Sequence, residues 1–291
     1  MGPLDLVALT ALMERTSGIP EVTIGLIDGP VQTEHRDLAV ERLRVIAGST
    51  GASCAHATST ACRHGTFVTG ILFARRNSVA PAICPDCTLL LRPIFAEGTS
   101  GSEQVPSARP KELAQALMDC IGAGARIINL SLALAKPSMG GDRSVEDALD
   151  HAVKRGVIVV AAAGNQATLG GSVITRHPWV IPVVACDCRG VPMDLSNLGR
   201  SIGRRGLRAP GHGITSLSTN EHSLSLGGTS VAVPFVTGAA ALLWSAFPSE
   251  TAVRIKLAMT QVPLARRASV VPPLLDGAAS YQLLSRLHAA R

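Results

Sequence analysis

Short apolar runs of strand length alternate along this chain with stretches of helical periodicity. The apolar runs are Val22–Ile27, Thr88–Phe95, Arg126–Ser131, Val157–Ala163 and Val180–Ala185. Lys111–Ile121 and Ser144–Arg155 have the spacing of amphipathic helices. Strands that are covered on both faces read as continuous apolar runs. The alternation therefore predicts an α/β fold, with a doubly wound parallel sheet flanked by helices in three layers and right-handed crossovers.

The two ends of the chain also have helical spacing. Leu4–Glu14 predicts a short leading helix, and Pro248–Met259 and Gly277–Leu287 predict helices that close the fold. No internal repeat or linker of distinct composition interrupts the 291 residues, so we expect one domain. Its expected parts are a leading helix in residues 1–18, a core over 19–260 and a closing segment over 261–291.

A serine stands at the start of the most apolar stretch in the chain. Ser230 follows Gly227–Gly228 and precedes residues with few polar side chains, which predicts a serine at the mouth of a buried helix. The positive end of the helix dipole would favour negative charge that develops there during acyl transfer. Pro234 fits the first turn of such a helix, where its missing N–H costs nothing. An ordinary N-cap serine is the alternative.

An acid and a histidine occupy two further notable positions. Asp28 ends the first apolar run and precedes Gly29–Pro30, and ligands gather at the carboxyl ends of parallel strands. His64 opens the segment His64–Leu72, where the spacing predicts the start of a helix that packs closely on its neighbours. Asp28 could instead be a turn residue, and His64 could be structural or a base in its neutral form.

Composition and charge narrow the function classes. Aromatic residues make up only 3% of the chain, so the core must consist of small aliphatic side chains. The net charge of +6 comes from scattered arginines with few aromatic stacking partners, which argues against nucleic-acid binding. No apolar run reaches the roughly 18 residues of a membrane span. The first 17 residues lack a basic segment of the secretory type, so we expect a cytoplasmic protein unless the sequence has been trimmed.

Seven cysteines leave several interpretations open. Four of them lie in the first third of the chain: Cys54, Cys62, Cys84 and Cys87. With His56 and His64 these four could hold zinc, but the pairs are far apart in sequence. A disulfide among the four is the favoured interpretation, although a cytosolic location would favour free thiols. We expect no metal and no cofactor.

Asp28, His64 and Ser230 occur in the chain order of subtilisin's triad, and their surroundings resemble the subtilase family of serine proteases. The resemblance covers about residues 22–243 and rests on five ordered motifs. The motifs are Ile27-Asp28-Gly29, His64-Gly65-Thr66 with Val68 and Gly70, Asn129-x-Ser131-Leu132, Ala161-Ala162-Ala163-Gly164-Asn165, and Gly228-Thr229-Ser230 with Ala232, Pro234, Val236 and Gly238.

The resemblance implies a role for each polar residue. Ser230 would attack a peptide carbonyl, His64 would take and return the proton, and Asp28 would hold the imidazole. Asn165 matches the family's oxyanion donor, although an asparagine in a Gly-Asn turn can also be structural. An extended substrate would add a strand alongside Leu130-Ser131-Leu132-Ala133, with main-chain hydrogen bonds supplying affinity. The expected substrate-binding residues are Ser131, Leu132, Ala133, Ala163 and Gly164.

Several positions depart from the family pattern. Phe67 and Phe235 stand where histidine is common, and we expect both to be core residues. Ala133 stands where glycine is frequent, so its methyl group should narrow the adjoining pocket. Asp37 matches a carboxylate that binds calcium in many subtilases, but residues 74–84 contain no acid. Calcium needs several oxygen ligands, so we expect no calcium site there.

A narrower resemblance is to the subtilases that mature cyanobactins and related ribosomal peptides by removing leader or follower segments. The segments that carry it are Pro93-Ile94-Phe95, Asn197-Leu198-Gly199, Leu207–Gly211 and Val271–Asp276. It implies a serine endopeptidase that hydrolyses a peptide or precursor protein. The alternative is a catalytically weak, subtilase-like protein that binds a peptide within a biosynthetic complex.

Overall fold

The computed structural model describes residues 2–46, 48, 54–97, 109–132, 143–220, 222–260 and 269–289. Within these residues, seven parallel strands form one sheet in the order β2-β3-β1-β4-β5-β6-β7, and β8 and β9 form an antiparallel hairpin. The strands are β1 Thr23–Asp28, β2 Leu43–Val45, β3 Thr88–Pro93, β4 Ile127–Leu130, β5 Ile158–Ala162, β6 Ile181–Cys186, β7 Leu207–Pro210, β8 Ile214–Leu217 and β9 Ser223–Leu226.

Helices cover both faces of the sheet. They are α1 Pro3–Leu6, α2 Thr10–Met13, α3 Thr60–Phe73, α4 Pro110–Gly122, α5 Arg143–Arg155, α6 Val173–Arg176, α7 Arg200–Arg205, α8 Thr229–Ala246, α9 Ala252–Thr260 and α10 Gly277–Ala289. Helices α3 and α8 pack on one face, and α4 and α5 pack on the other. The doubly wound, three-layer α/β fold expected from the sequence is therefore confirmed.

The central strands place apolar side chains on both faces. In β1, Ile24 and Leu26 belong to the core under α3 and α8, whereas Ile27 belongs to the core under α4 and α5. In β5, Val160 and Val159 divide in the same way. Each strand is buried on both sides, which is why the sequence shows continuous apolar runs and no alternation.

Register brings three strand ends to one edge of the sheet. Ile27 of β1 pairs with Leu130 of β4, and Leu130 pairs with Ala161 of β5. The residues that follow, Asp28 and Ser131, therefore lie level at the carboxyl edge. Strand β1 has β3 on one side and β4 on the other, so the direction of winding reverses beside it. Such a switch point is where open α/β sheets bind ligands.

Two helix boundaries differ from the expectation. The leading helix is broken into α1 and α2, because Ala8 lies between them in the left-handed region, with φ of 51°. Helix α3 begins at Thr60, with Ser59 as its N-cap residue, so His64 lies in the second turn and not at the helix start. The helix dipole acts mainly on the first turn, so it gives little support to the neutral form of His64.

Helix α8 is long and apolar enough, by length and composition, to cross a membrane. The expectation that no segment reaches that length was wrong. In the fold, 89% of the residues in this 18-residue window are buried inside the protein. Its apolar surface is thus accounted for by the core between the sheet and α3, where Phe67 and Phe235 are both completely buried. Both phenylalanines are confirmed as core residues.

A disulfide joins Cys54 and Cys62, with their Cα atoms 5.6 Å apart, so the favoured interpretation of the cysteines is confirmed. Cys84 and Cys87 are buried free thiols. Among the described residues, the sulfur atoms of the disulfide approach Glu97 closely enough for a metal site. The disulfide uses those sulfur atoms, and metals bind thiolates, so this group is not a zinc site.

Residues 74–84 are joined to the N-terminal segment by an arginine. The guanidinium of Arg76 donates hydrogen bonds to the carbonyl oxygens of Met13, Thr16 and Ile83, the last two at 3.0 and 3.2 Å. The N–H of Arg75 donates to the carbonyl of Asp37 at 2.7 Å. A side-chain cation therefore holds together backbone carbonyls from distant segments.

Candidate active site

The predicted base and the acid predicted to orient it meet at the carboxyl end of β1. His64 Nδ1 lies 2.7 Å from Asp28 Oδ1, which also accepts the N–H of Gly29 at 2.6 Å. Two glycines permit this approach of α3 to the strand end. A Cβ added at Gly65 would lie 2.5 Å from the carbonyl oxygens of Gly29 and Pro30, and one at Gly29 would lie 2.1 Å from that of Ala61.

The environment of His64 favours its protonated form. Burial lowers the pKa of the imidazole, but the charge of Asp28 and the hydrogen bond to it outweigh burial, and the net pKa is raised above 6.5. Asp28 is 1% exposed, and its Oδ2 has no hydrogen-bond partner in the part of the chain described. A buried carboxylate in this position can stabilise an imidazolium as the proton is transferred.

Ser230 is the second residue of α8, at the same edge of the sheet. Gly228 precedes the helix with φ of 126°, a conformation that favours glycine. Pro234 lies inside the helix and has no N–H, so it leaves unpaired the carbonyl four residues earlier, which is that of Ser230. Ser131 Oγ, at the end of β4, donates to this carbonyl at 2.8 Å. The backbone of the predicted nucleophile is thereby attached to the neighbouring strand.

A buried polar network extends from this contact. Asn129 Nδ2 donates to Ser131 Oγ at 2.8 Å, and Asn129 Oδ1 accepts the hydroxyl of Thr237 at 2.8 Å. Ser131 is 3% exposed, and Asn129 and Thr237 are fully buried. The network connects two points of α8 through β4 and leaves each member with a partner, as buried polar groups require.

Asn165 follows β5 and faces the start of α8. Its Oδ1 accepts both the N–H and the hydroxyl of Thr229, each at 2.9 Å. These bonds assign the oxygen of the amide, so Nδ2 remains as a donor. A Cβ added at Gly228 would lie 3.0 Å from this Nδ2. The amide group therefore lies against Gly228, two residues before the predicted nucleophile, and Asn165 stays a prediction as the oxyanion donor.

The structure places four of the five predicted substrate-binding residues at the ends of β4 and β5. Ser131 and Leu132 are buried at the end of β4, and Ala163 and Gly164 follow β5. Ala133 lies outside the described residues. The hydrogen bonds of the described residues include none between Ser230 Oγ and His64, so that pairing stays a prediction. Such bonds often tighten only when substrate binds.

Sequence reasoning missed two contributors to the site. Asn129 enters the sequence analysis only as part of a motif, and Thr237 is given no role there. The available signal for Thr237 was a hydroxyl within an almost wholly apolar helix. A buried hydroxyl needs a partner, and Asn129 in an otherwise apolar strand was a candidate for it.

Comparison with known proteins agrees with this geometry. The subtilase family profile matches residues 20–266. The chain is 33% identical over 199 residues to the thermostable alkaline protease of Halalkalibacterium halodurans. That alignment covers 68% of this chain and 51% of the relative, so the chain spans about half of the relative's length.

Two of the solved structures that match this chain cover nearly all of it. A mutant of the protease domain of PatA superposes with a TM-score of 0.82 at 29% identity, covering 92% of this chain and 97% of that one. The prenylagaramide maturation protease PagA superposes with a TM-score of 0.81 at 27% identity, covering 95% and 98%. The resemblance noted in the sequence to peptide-maturation subtilases is confirmed. The fold, the family profile and these matches show that the chain belongs to the subtilase family of serine proteases.

Proposed function

We propose that this protein is a serine endopeptidase that cleaves a ribosomally made precursor peptide. The observation that carries the peptidase activity is the 2.7 Å contact of His64 with the buried Asp28, at the edge where α8 presents Ser230. Similarity to PagA, a maturation protease by name, supports the choice of substrate. The peptide is the expected partner, and neither nucleic acid nor a membrane is expected as a partner.

In the proposed reaction, Ser230 Oγ attacks the scissile carbonyl while His64 accepts its proton. Asp28 holds the ring through Nδ1 and stabilises the imidazolium. Asn165 Nδ2 and the Ser230 N–H bind the oxygen of the tetrahedral intermediate, and a donor of this kind is worth about 10²–10³ in rate. His64 then gives the proton to the leaving amine, and water releases the acyl group by the same steps.

The substrate would bind as an extended strand beside the end of β4. Main-chain hydrogen bonds with residues 131–133 would supply affinity that does not depend on sequence. Ala163 and Gly164 would form the opposite wall. This arrangement suits a flexible leader segment, because an unfolded peptide can pair with a strand along its length.

The test is hydrolysis of a mixed peptide library with Ser230→Ala as the matched control. We expect cleavage by the wild type, and labelling of Ser230 by a fluorophosphonate at neutral pH, because only an activated serine reacts. The alanine variant should lose both. A wild type that binds peptides without cleavage or labelling would instead establish the weakly catalytic binding protein. Hydrolysis that survives in Ser230→Ala would refute the assignment of the nucleophile.

The cellular location stays a prediction. A cytoplasmic location was expected from the N-terminal sequence, whereas disulfides such as Cys54–Cys62 persist mainly in oxidising compartments. Fractionation of cells that produce the protein, with thiol labelling of each fraction, decides between the two.

A further inference from the structure

The loop that carries Asn165 is held along its length by one other segment of the chain. Residues 164–170 follow β5, and residues 195–198 lie beside them. Four backbone hydrogen bonds join the two segments. They run from Asn197 N to Gly164 O, Ala167 N to Leu195 O, Leu198 N to Thr168 O and Gly170 N to Leu198 O, at 2.7 to 3.0 Å.

The side chain of Asn197 uses its whole hydrogen-bonding capacity on this loop. Its Oδ1 accepts the N–H groups of Gln166 and Thr168 at 3.0 and 3.1 Å. Its Nδ2 donates to the carbonyl of Ala163 at 3.2 Å and to Gln166 Oε1 at 2.7 Å. An amide offers two donors and two acceptor positions, so all four are taken by residues that precede or follow Asn165.

The side chain of Asn197 also packs directly against the backbone of Gly164. Gly164 has φ of 107°, and a Cβ added there would lie 2.3 Å from Asn197 Nδ2. Only a residue without a side chain lets the amide reach the carbonyl of Ala163 behind it. Asn165 is thus fixed from two directions: Thr229 binds its side chain, and Asn197 binds the backbone on both sides of it.

We propose that Asn197 is a positioning residue for the oxyanion donor Asn165. This rests on the proposed peptidase function. Asn197 bonds none of the three triad residues, so any effect on the reaction passes through the loop. Oxyanion stabilisation depends on a donor that is already in place when charge develops. A loop freed from Asn197 still contains the donor, but no longer holds it at a fixed distance from Ser230.

The test is a double-mutant cycle on hydrolysis of the best substrate from the peptide library. Asn197→Ala should lower kcat about tenfold and change KM less than about twofold, which is a smaller loss than the 10²–10³ expected for Asn165→Ala. In the Asn165→Ala background, Asn197→Ala should have almost no further effect, because the donor that it positions is gone. Asn197→Asp keeps the two acceptor bonds and loses the two donated ones, so its kcat should fall between those of wild type and Asn197→Ala.

Two controls keep the proposal open to refutation. Thermal unfolding of each variant shows whether the fold is intact, and Asn197→Asp serves if Asn197→Ala does not fold. Losses that multiply in the double variant would show that Asn197 acts on stability or substrate binding and would overturn the proposal, as would an unchanged kcat in Asn197→Ala. A wild type with no hydrolysis and no fluorophosphonate labelling would refute the peptidase function itself, which is a separate and earlier result.

Discussion

The two sides of the candidate site are held in different ways. On the nucleophile side, Thr237, Asn129 and Ser131 form a hydrogen-bonded chain whose members are at most 3% exposed. On the oxyanion side, Asn165 is exposed, and its loop depends on a half-buried asparagine. A buried group left unpaired costs its full desolvation energy, whereas a group near water can rehydrate. Damage to the first side should therefore weaken the fold, and damage to the second should slow the reaction.

The largest effect is expected at the acid that supports the base. Asp28→Asn should lower kcat by about 10⁴, because the ring loses the charge that holds its tautomer and stabilises the imidazolium.

His64 must be neutral to accept a proton, and its pKa is raised. The wild-type rate should therefore fall on acidification with a midpoint above about 6.5, and in Asp28→Asn the midpoint should move down. The pH profile of kcat/KM measures both. An unshifted midpoint would mean that another group titrates.

The next effect tests the oxyanion side alone. Asn165→Ala should lower kcat by about 10²–10³ and leave the melting temperature nearly unchanged, because Asn165 is exposed and its removal should open the N–H and hydroxyl of the buried Thr229 to water. Steady-state kinetics measure kcat, and calorimetry on the same preparation measures the melting temperature. A large drop in melting temperature would show that this side, too, is structural.

Substitutions in the buried network of Asn129, Ser131 and Thr237 should lower stability more than they lower the rate. Asn129→Ala leaves the hydroxyl of Thr237 without its acceptor and should reduce the free energy of unfolding by about 2–3 kcal/mol. Thr237→Val, which removes a single hydrogen bond at nearly constant volume, should cost about 1–2 kcal/mol. Urea unfolding gives both values. If both variants were as stable as wild type but had a lower kcat, the proposed difference between the nucleophile side and the oxyanion side would be wrong.

A substitution far from the candidate site serves as a control for loss of stability alone. Arg76→Met removes hydrogen bonds to the carbonyls of Met13, Thr16 and Ile83 and should cost about 1 kcal/mol of stability. Its kcat and KM should match those of wild type, because none of these groups contacts the triad. Changed kinetics in this variant would indicate that loss of stability by itself perturbs the site.

The elements that the sequence predicted well are the buried ones. Strands β1, β4 and β5 are continuous apolar runs because both faces are covered, and their observed bounds differ from the expected ones by one residue at each end at most. Asp28, His64 and Ser230 were predicted as a triad because each lies within a distinctive local motif, and the structure places Asp28 and His64 in contact. Short elements such as α6, β8 and β9 were missed, since four residues are too few to show a period.

Other features depend on contacts that no local pattern encodes. Asn129 and Thr237 are 108 positions apart, and Asn197 and Gln166 are 31 apart. The break at Ala8 arises from one backbone torsion in a segment whose apolar spacing is helical throughout. Each of these follows from three-dimensional packing, which selects one arrangement among several that the same residues permit locally.

Pro234 has a consequence for how peptide binding and reactivity are related. By leaving the Ser230 carbonyl available to Ser131, it ties the reacting residue to the strand beside which the substrate is expected to pair. A displacement of that strand by an incoming peptide would be passed directly to Ser230. The position of the Ser230 backbone and the position of this strand end are therefore linked by a direct hydrogen bond.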